Sequence, residues 1–323
     1  MIRRMDFLLI GLSRFARRRV LPAADALPGI TRIDVASAHA DARDLADVAK
    51  LGRLHRDWRD AVTAARPGLV YVSSANGDHA EAVRLALRAG HHVVVDKPAL
   101  PDLATAVELV ELARSSSLVL AEATCYPWHP AFAVVESTLA DFGAEITKAV
   151  AVFTPPVPPD DWRHDRLRGG GALADNGPYA VSLGRVLWGV EPESVNAVVG
   201  DRAADGLPTS FSLLAGYPGG RTVVGQFGFT TAYQNTVRLL GRGFAIEVQR
   251  PFSAPPGMTV EVVVQVGGDR RVHTVEPADS MAAFLSDVLA AIAAGSGDLM
   301  EPLLSDARVL ARLTRAASGA GST

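Results

Sequence analysis

GLVYVSSANGDHAEAVRLALRAGHHVVVDKP (68–98) decides the fold class of this chain. Its opening run is apolar and β-branched and ends in small polar residues, the pattern of a short buried strand. HAEAVRLALRAG (79–90) reads as a helix with Gly90 at its C-terminal end. HHVVVDKP (91–98) is a second strand. Two buried strands joined by a helix pair in parallel through a right-handed crossover.

The alternation extends in both directions. Residues 6–10 read as a strand, Gly11 as a turn, and FARRRVLPAADAL (15–27) as a helix ended by Pro28-Gly29. RIDVASA (32–38) is a strand, and DARDLADVAKLG (41–52) is a helix closed by Gly52. Beyond the central unit, LATAVELVELARSS (103–116) is a helix and LVLAEATC (118–125) a strand. This predicts a doubly wound α/β domain over residues 1–122, its parallel sheet buried on both faces and its ligands at the carboxyl ends of the strands.

From about Phe132 the pattern changes. KAVAVFT, SVNAVVG, SFSLLAGY, RTVVGQFGF, NTVRLLG, FAIEVQR, TVEVVVQV and RRVHTVEP are strand-like, many separated by Gly or Asp. They predict an α+β domain over 123–323 with a large, mostly antiparallel open sheet. Helices are expected at 170–189 and 280–295. No internal repeat is present, and the small-residue tail ASGAGST (317–323) is expected to fray.

Composition limits the function classes. A chain of 323 residues exceeds one ordinary core and suggests two domains. With 21% charged and 48% hydrophobic residues it has the balance of a soluble globular protein. A net charge of -3 gives no reason to expect nucleic acid or an anionic membrane as partner. The single cysteine, Cys125, fits a reducing compartment, so a cytoplasmic location is expected. MIRRMDFLLIGLS superficially resembles a leader, but its apolar run is too short. No stretch approaches the roughly 18 apolar residues of a membrane helix.

The first strand-to-helix junction, G-L-S-R-F-A (11–16), is where a dinucleotide-binding domain holds pyrophosphate. Gly11 supplies the tight turn and Ala16 is an accepted third position. Ser13 replaces the glycine that lets the backbone approach the phosphates, and its hydroxyl can donate to a phosphate oxygen. An ordinary βα turn with no ligand is the competing reading. Roughly 20 residues further on, where an acid would hold the ribose 2'-hydroxyl of NAD, Ser37, Ala38 and His39 offer no carboxylate. That favours NADP, with Ser37, His39 and Arg17 or Arg18 available to a 2'-phosphate. Asp41 keeps NAD possible if its loop bends back.

Lys97 sits at the carboxyl end of its strand, beside the expected position of a nicotinamide ring. A ketone receiving hydride becomes an alkoxide, which a nearby cation stabilises. Pro98 can fix a sharp exit that turns the lysine inward. Standing alone, a strand-end lysine is a solubilising edge residue.

The motifs do not stand alone. The Gly11 turn, SSANGDHAEAVRLALRAGHHVVVDKP, EATCYPWHP, the Trp162-Arg163 pair and GGGALADNGPYAVSLGRVLWG occur in one order. On them the chain resembles the glucose-fructose oxidoreductase, inositol dehydrogenase and rhizopine catabolism family over nearly its whole length. The resemblance implies that Lys97 is catalytic or orients substrate, with Asp96 in place of the glutamate of the family's E-K-P. It implies that Asp175-Asn176-Gly177-Pro178-Tyr179 stands for the family's D-x-G-x-H, Tyr179 replacing the histidine. That tyrosine is shared with the nucleotide-sugar 3-ketoreductases of deoxysugar pathways, where it looks like the proton donor. RRRVLPA, the serine at the second strand end, and FGFTTAYQNTVRLLGRGFAIEVQRPFSAPP are similar to the same branch.

Chemistry supports the tyrosine independently. Asp175 and Tyr179 share a helix face at i, i+4. A phenol titrates near about 10, and a neighbouring lysine lowers that value toward neutrality. A packed ring with its hydroxyl satisfied by Asp175 is the bland alternative. Asp175 either orients substrate or caps its segment. The expected cofactor contacts are Gly11, Ser13, Arg14, Phe15, Ser37, His39, Ser74, Asn76, His79, Asp96, Lys97 and Pro98. Tyr126, Trp128, His129, Trp162, Arg163, Asn176 and Tyr233 are the candidate substrate contacts: aromatic faces suit a sugar or base, and the arginine suits a diphosphate. No metal site is expected.

Three functional readings follow. One is NADPH-dependent reduction at C3 of a nucleotide diphosphate deoxysugar. Another is a dehydrogenase or reductase of a free sugar, cyclitol or small carbonyl compound. The last is a dinucleotide-binding regulator without catalysis. An open sheet face suggests a homodimer or homotetramer.

Overall fold

The apolar runs of the first third pair in parallel, and those of the second half pair mainly antiparallel. The computed structural model describes residues 4–319. In chain order the elements are β1 (Met5–Ile10), α1 (Leu21–Ala26), β2 (Ile30–Ala36), β3 (Leu51–His55), α2 (Trp58–Ala64), β4 (Leu69–Val72), α3 (His79–Arg88), β5 (His92–Val95), α4 (Leu103–Ser115) and β6 (Leu120–Glu122). They continue as α5 (Pro130–Phe142), β7 (Ile146–Phe153), α6 (Ala172–Trp188), β8 (Ser194–Val199), β9 (Ser210–Tyr217), β10 (Arg221–Gly228), β11 (Asn235–Gly241), β12 (Phe244–Gln249), β13 (Val260–Val266), β14 (Asp269–Val275), α7 (Ser280–Ala294) and α8 (Met300–Ala317). The chain divides into two compact units: residues up to Thr124 with Met281–Ala307, and Cys125–Ser280 with the residues from Arg308 on.

The first unit is a six-stranded sheet in the order β3-β2-β1-β4-β5-β6. All its pairings are parallel. Every residue of β4 is buried, because a parallel sheet covered on both faces needs apolar side chains in both directions. Helix α3 packs through His79, Ala82, Val83, Ala86 and Leu87, a stripe at helical spacing. Met300, Leu303, Leu304 and Ala307 join this core. A buried Leu or Met contributes about 1.5–3 kcal/mol, which explains why a segment so late in the sequence belongs to this unit and not to an unbroken second domain from residue 123. The strand order reverses between β1 and β4, and at such a switch point the carboxyl ends open a crevice for ligands.

The second unit is an eight-stranded sheet in the order β14-β13-β12-β11-β7-β10-β9-β8. Its pairs are antiparallel except β7 with β10, which is parallel. Inward residues such as Phe153, Phe211, Phe227, Val237 and Ile246 form the core, together with α6 residues Ala180, Val181 and Leu183. The opposite face leaves Val150, Val198, Leu214 and Val224 exposed, Val198 to 70%.

Three local expectations change. The helix expected over 41–52 is absent. Asp41 and Asp44 instead form a reciprocal capping box that closes a single 3-10 turn, Ala42–Leu45. Gly52 does not close a helix: it lies in β3, where a Cβ would collide with the side chains of Asp34 and Arg32. The expected first helix is continuous but opens with a π turn, Ala16–Val20. Helices α2, α5 and α8 were not expected: α2 and α5 each bury a narrow stripe amid polar or small residues, and α8 buries Met300, Leu303, Leu304, Ala307, Val309, Leu310 and Leu313 along a segment rich in charged residues. The expected fraying concerns residues of which only Ala317–Gly319 are among those described.

Candidate active site

In the first unit the polar groups gather where β1, β4 and β5 end. Gly11 adopts φ +83°, and a Cβ there would sit 2.7 Å from the Ser73 carbonyl oxygen and 3.0 Å from the Ser74 amide nitrogen. The turn therefore requires glycine in both conformation and space. Ser13 Oγ accepts the Ala16 N–H (2.9 Å) and lies 2.8 Å from Ser73 Oγ. The serine thus caps the helix start and bridges to the neighbouring strand end. Ser74 Oγ is buried and has no hydrogen-bond partner among the described residues. A glycine whose side a Cβ would fill, next to an orphaned hydroxyl, is a site shaped for an oxygen-rich ligand, so these residues fit a dinucleotide.

Around the expected ribose site, Arg14, Phe15, Arg18 and His39 are exposed and Ser37 is half-buried. Asp41 accepts the backbone N–H of Arg43 and pairs with its guanidinium (3.1 Å). Arg43 holds the Asp41 carboxyl below the usual range. This acid is committed to its own turn. Arg17 pairs with Asp44 (2.9 Å). The end of β2 therefore offers hydroxyl, imidazole and guanidinium groups and no uncommitted carboxylate, which fits a 2'-phosphate better than a 2'-hydroxyl.

Asp96 is the hub of the β5 end. It accepts from Tyr71 Oη and Ser73 Oγ, each at 2.5 Å. Burial pushes its carboxyl above the ordinary value, opposed by those two hydrogen bonds and by His79 and Lys97. The Lys97–Pro98 peptide is cis. Buried His79 places Nδ1 near the carbonyls of Pro98 (3.0 Å) and Ala99 (3.2 Å), and Nε2 near that of Ser74 (3.2 Å). It ties the β4 end to the loop that carries Lys97. Asn76 is buried. Glu122 accepts the Ala99 N–H (2.8 Å), a structural bond to the same loop. Neither Tyr71 nor Ser73 was singled out by sequence: Tyr71 reads as a core residue of a buried strand, and Ser73 as one more small residue in SSANG.

In the second unit the site residues ride on α6 and the loop before it. The triple glycine makes this possible. A Cβ on Gly170 would meet the carbonyls of Arg163 (2.5 Å) and Asp165 (2.7 Å), and Gly171 has φ +104°. Arg163 Nε donates to Asp175 Oδ1 and its Nη1 to Asp161, both at 3.0 Å. Burial works against the Arg163 charge, but the Asp175 and Asp161 carboxylates outweigh it and hold the guanidinium more firmly protonated. Its Cζ lies 4.8 Å from the centroid of the Trp162 ring. The Asn176 amide is satisfied when its NH2 donates to Asp175 Oδ2 and its oxygen accepts the Gly228 N–H, both at 3.1 Å. Asp175 is thus gripped on both oxygens. Asp161, which completes this grip, has no distinguishing sequence signal beyond its place before Trp162.

Tyr179 is half-buried in an aromatic cluster, 4.9 Å edge-on from Phe153, 5.3 Å from Phe252 and 6.1 Å from Tyr126. Several expected substrate contacts turn out to support this frame. Tyr126 is buried, with its hydroxyl 3.1 Å from Ser182 Oγ. His129 is buried and caps α5 by accepting the Ala131 N–H (3.2 Å). Asn176 is fully buried as described. Each of these side chains makes a hydrogen bond to a neighbouring backbone or side-chain group. Trp128 and Trp162 stay half-buried, and Tyr233 accepts from Asn235 (3.3 Å) and Arg250 (3.5 Å).

Among the described residues no helix is long and apolar enough to cross a membrane, and no cluster of three or more His, Cys, Asp or Glu could hold a metal. Comparison with known proteins gives two family matches. Residues 5–124 match the oxidoreductase family with an NAD-binding Rossmann fold, and residues 143–247 match the GFO/IDH/MocA C-terminal domain. A dTDP-3,4-didehydro-2,6-dideoxy-alpha-D-glucose 3-reductase from Streptomyces violaceoruber is 34% identical over 262 residues, 79% of this chain and 76% of that one. The Actinomadura kijaniata enzyme of the same name is 31% identical over 277 residues, 82% of this chain and 79% of its own. A crystal structure of a 3-ketoreductase from Actinomadura kijaniata in complex with NADP and TDP-benzene superposes with a TM-score of 0.90 at 27% identity, over 97% of this chain and 98% of that one.

Proposed function

Because the chain belongs to the GFO/IDH/MocA family of NAD(P)-dependent oxidoreductases, we propose that it uses NADPH to reduce the C3 keto group of a nucleotide diphosphate deoxysugar. The observation that carries this reading is the similarity to dTDP-sugar 3-reductases along most of the chain. The end of β2 has no uncommitted carboxylate for a ribose 2'-hydroxyl, since Asp41 is occupied by Arg43, and this supports NADPH over NADH.

A nicotinamide dinucleotide held at the Gly11 turn, Ser13 and Ser74 would supply the hydride for the carbonyl carbon. In this reading the Lys97 ammonium stabilises the negative charge that develops on the carbonyl oxygen, and the Tyr179 phenol delivers the proton. Asp175, gripped by Arg163 and Asn176, orients the substrate. Trp128, Trp162 and Tyr233 are the candidate contacts for sugar and base, and Arg163 has further N–H groups to offer a diphosphate. The exposed apolar face of the eight-stranded sheet, Val150, Val198, Leu214 and Val224, is proposed as the surface through which a homodimer or homotetramer forms in the cytoplasm.

The reading is tested by following nicotinamide fluorescence while NADPH or NADH is added, with and without thymidine diphosphate, and then by NADPH oxidation with a dTDP-3-keto-deoxysugar. Tight NADPH binding, weak NADH binding and turnover of the nucleotide sugar are expected. Turnover of free sugars, cyclitols or small carbonyl compounds without activity on the nucleotide sugar would replace it with the alternative reading. A monomer by light scattering at micromolar concentration would remove the proposed assembly.

A further inference from the structure

Four side chains form one hydrogen-bonded chain beneath the phosphate turn. Tyr71 Oη and Ser73 Oγ each lie 2.5 Å from an oxygen of Asp96. Ser73 Oγ lies 2.8 Å from Ser13 Oγ, which accepts the Ala16 N–H. Each serine hydroxyl has a single proton to give. While Asp96 is ionised it can only accept, so the Ser73 proton is committed to it. Ser13 must then donate to Ser73. In that state Ser13 Oγ presents only lone pairs to an approaching phosphate, at the turn position where the chain comes closest to pyrophosphate.

A proton on Asp96 reverses the chain. Asp96 then donates to Ser73 Oγ, Ser73 donates to Ser13 Oγ, and the Ser13 proton is released toward the ligand. We propose that Ser73 and Asp96 are positioning residues of the cofactor site, and that Asp96 carries a proton in the cofactor-bound protein, so that Ser13 donates to the dinucleotide diphosphate. No covalent bond changes: one proton enters from solvent as the dinucleotide binds.

The surroundings of Asp96 agree. It faces Tyr71 and Ser73 from the β4 end, His79 from α3 and Lys97 from its own loop. Glu122 on β6, paired in register with Val95, is engaged by the Ala99 N–H and by Thr124 Oγ1. Burial already raises the Asp96 carboxyl, and a diphosphate adds negative charge that raises it further. Cofactor binding and protonation therefore favour each other, and linkage makes the effect reciprocal.

This inference rests on the NADPH reading. The test is the affinity for NADPH, followed by nicotinamide fluorescence from about pH 5 to 10, for the wild-type protein, Asp96→Asn and Ser73→Ala, with calorimetry in two buffers of different ionisation enthalpy. Asparagine donates to Ser73 and accepts from Tyr71 as the protonated acid does, and it cannot titrate. The wild-type affinity is expected to fall about tenfold per pH unit along an alkaline limb, with one proton taken up per NADPH. Asp96→Asn should lack this limb and take up no corresponding proton, and Ser73→Ala, which keeps the acid but breaks the relay, should flatten it. Titration of the 2'-phosphate is common to all three proteins, so the difference between curves belongs to Asp96. Parallel curves for wild type and Asp96→Asn across the range would overturn the proposal. Should the protein bind NADH in place of NADPH, the NADPH reading falls, and the same curves taken with NADH, which has the same diphosphate, still decide the relay.

Discussion

The two units hold their functional residues by different means. In the first, backbone topology does the work: β1, β4 and β5 are parallel neighbours, so Gly11, Ser73 and Asp96 arrive together at their carboxyl ends. In the second, the sheet supplies only a floor. Asp175 and Tyr179 are held by a helix whose start depends on a triple glycine, a guanidinium from the preceding loop and an aromatic cluster beneath it. A strand-end site is thus announced by alternation and turn chemistry, whereas a helix-borne site depends on side-chain contacts that leave little trace in local sequence.

The contrast breaks most sharply at the pair proposed to act on the carbonyl, one residue from each unit. Lys97→Ala and Tyr179→Phe should each lower kcat on the order of 10² to 10⁴. Tyr179→Phe should leave NADPH affinity unchanged, since Tyr179 belongs to the other unit. Loss of less than roughly tenfold in both variants would return Lys97 to a solubilising residue and Tyr179 to packing.

Arg163 sharpens the second half of the contrast. Arg163→Ala leaves Asp161 and Asp175 without their shared cation in a largely buried setting, so a loss of about 2–4 kcal/mol is expected, read as a lower denaturation midpoint. Arg163→Lys should not restore it, because one ammonium cannot reproduce two directed guanidinium bonds. An unchanged midpoint with a raised KM for nucleotide sugar would instead make Arg163 a diphosphate contact.

The smallest expected effect concerns Asp41. Asp41→Asn should leave the preference for NADPH over NADH where it was, because the carboxylate serves its own turn and Arg43. A selective loss of NADH affinity in paired titrations would show that the loop does bend back to the ribose.

The reading of the sequence followed the same divide. The strand-helix alternation, the turn at Gly11, the strand end at Lys97 and the helix carrying Asp175 and Tyr179 were legible, as was the large mixed sheet. The stretch 41–55 misled because DARDLADVAKLG has helical composition. Two acids there form a capping box, and pairing with β2 claims the residues that follow. Tyr126, His129 and Asn176 carry chemistry suited to a ligand, and inside the protein Tyr126 meets the Ser182 hydroxyl, His129 Nδ1 the Ala131 N–H, and Asn176 the Asp175 carboxylate and the Gly228 N–H. Sequence names a polar side chain without revealing which buried partner it meets.

Patterns of period two and 3.6, with glycine where the chain turns, are local, and they were sufficient to determine an α/β unit and an α+β unit, a nucleotide-binding topology in the first, and the places of Lys97 at a strand end and Tyr179 on a helix. The pairing of Ser13 with Ser73, the grip on Asp175 and the return of Met281–Ala307 to the first unit were decided only in three dimensions. Each depends on residues far apart in the chain competing for the same proton, carboxylate or apolar surface, a competition that no local pattern records.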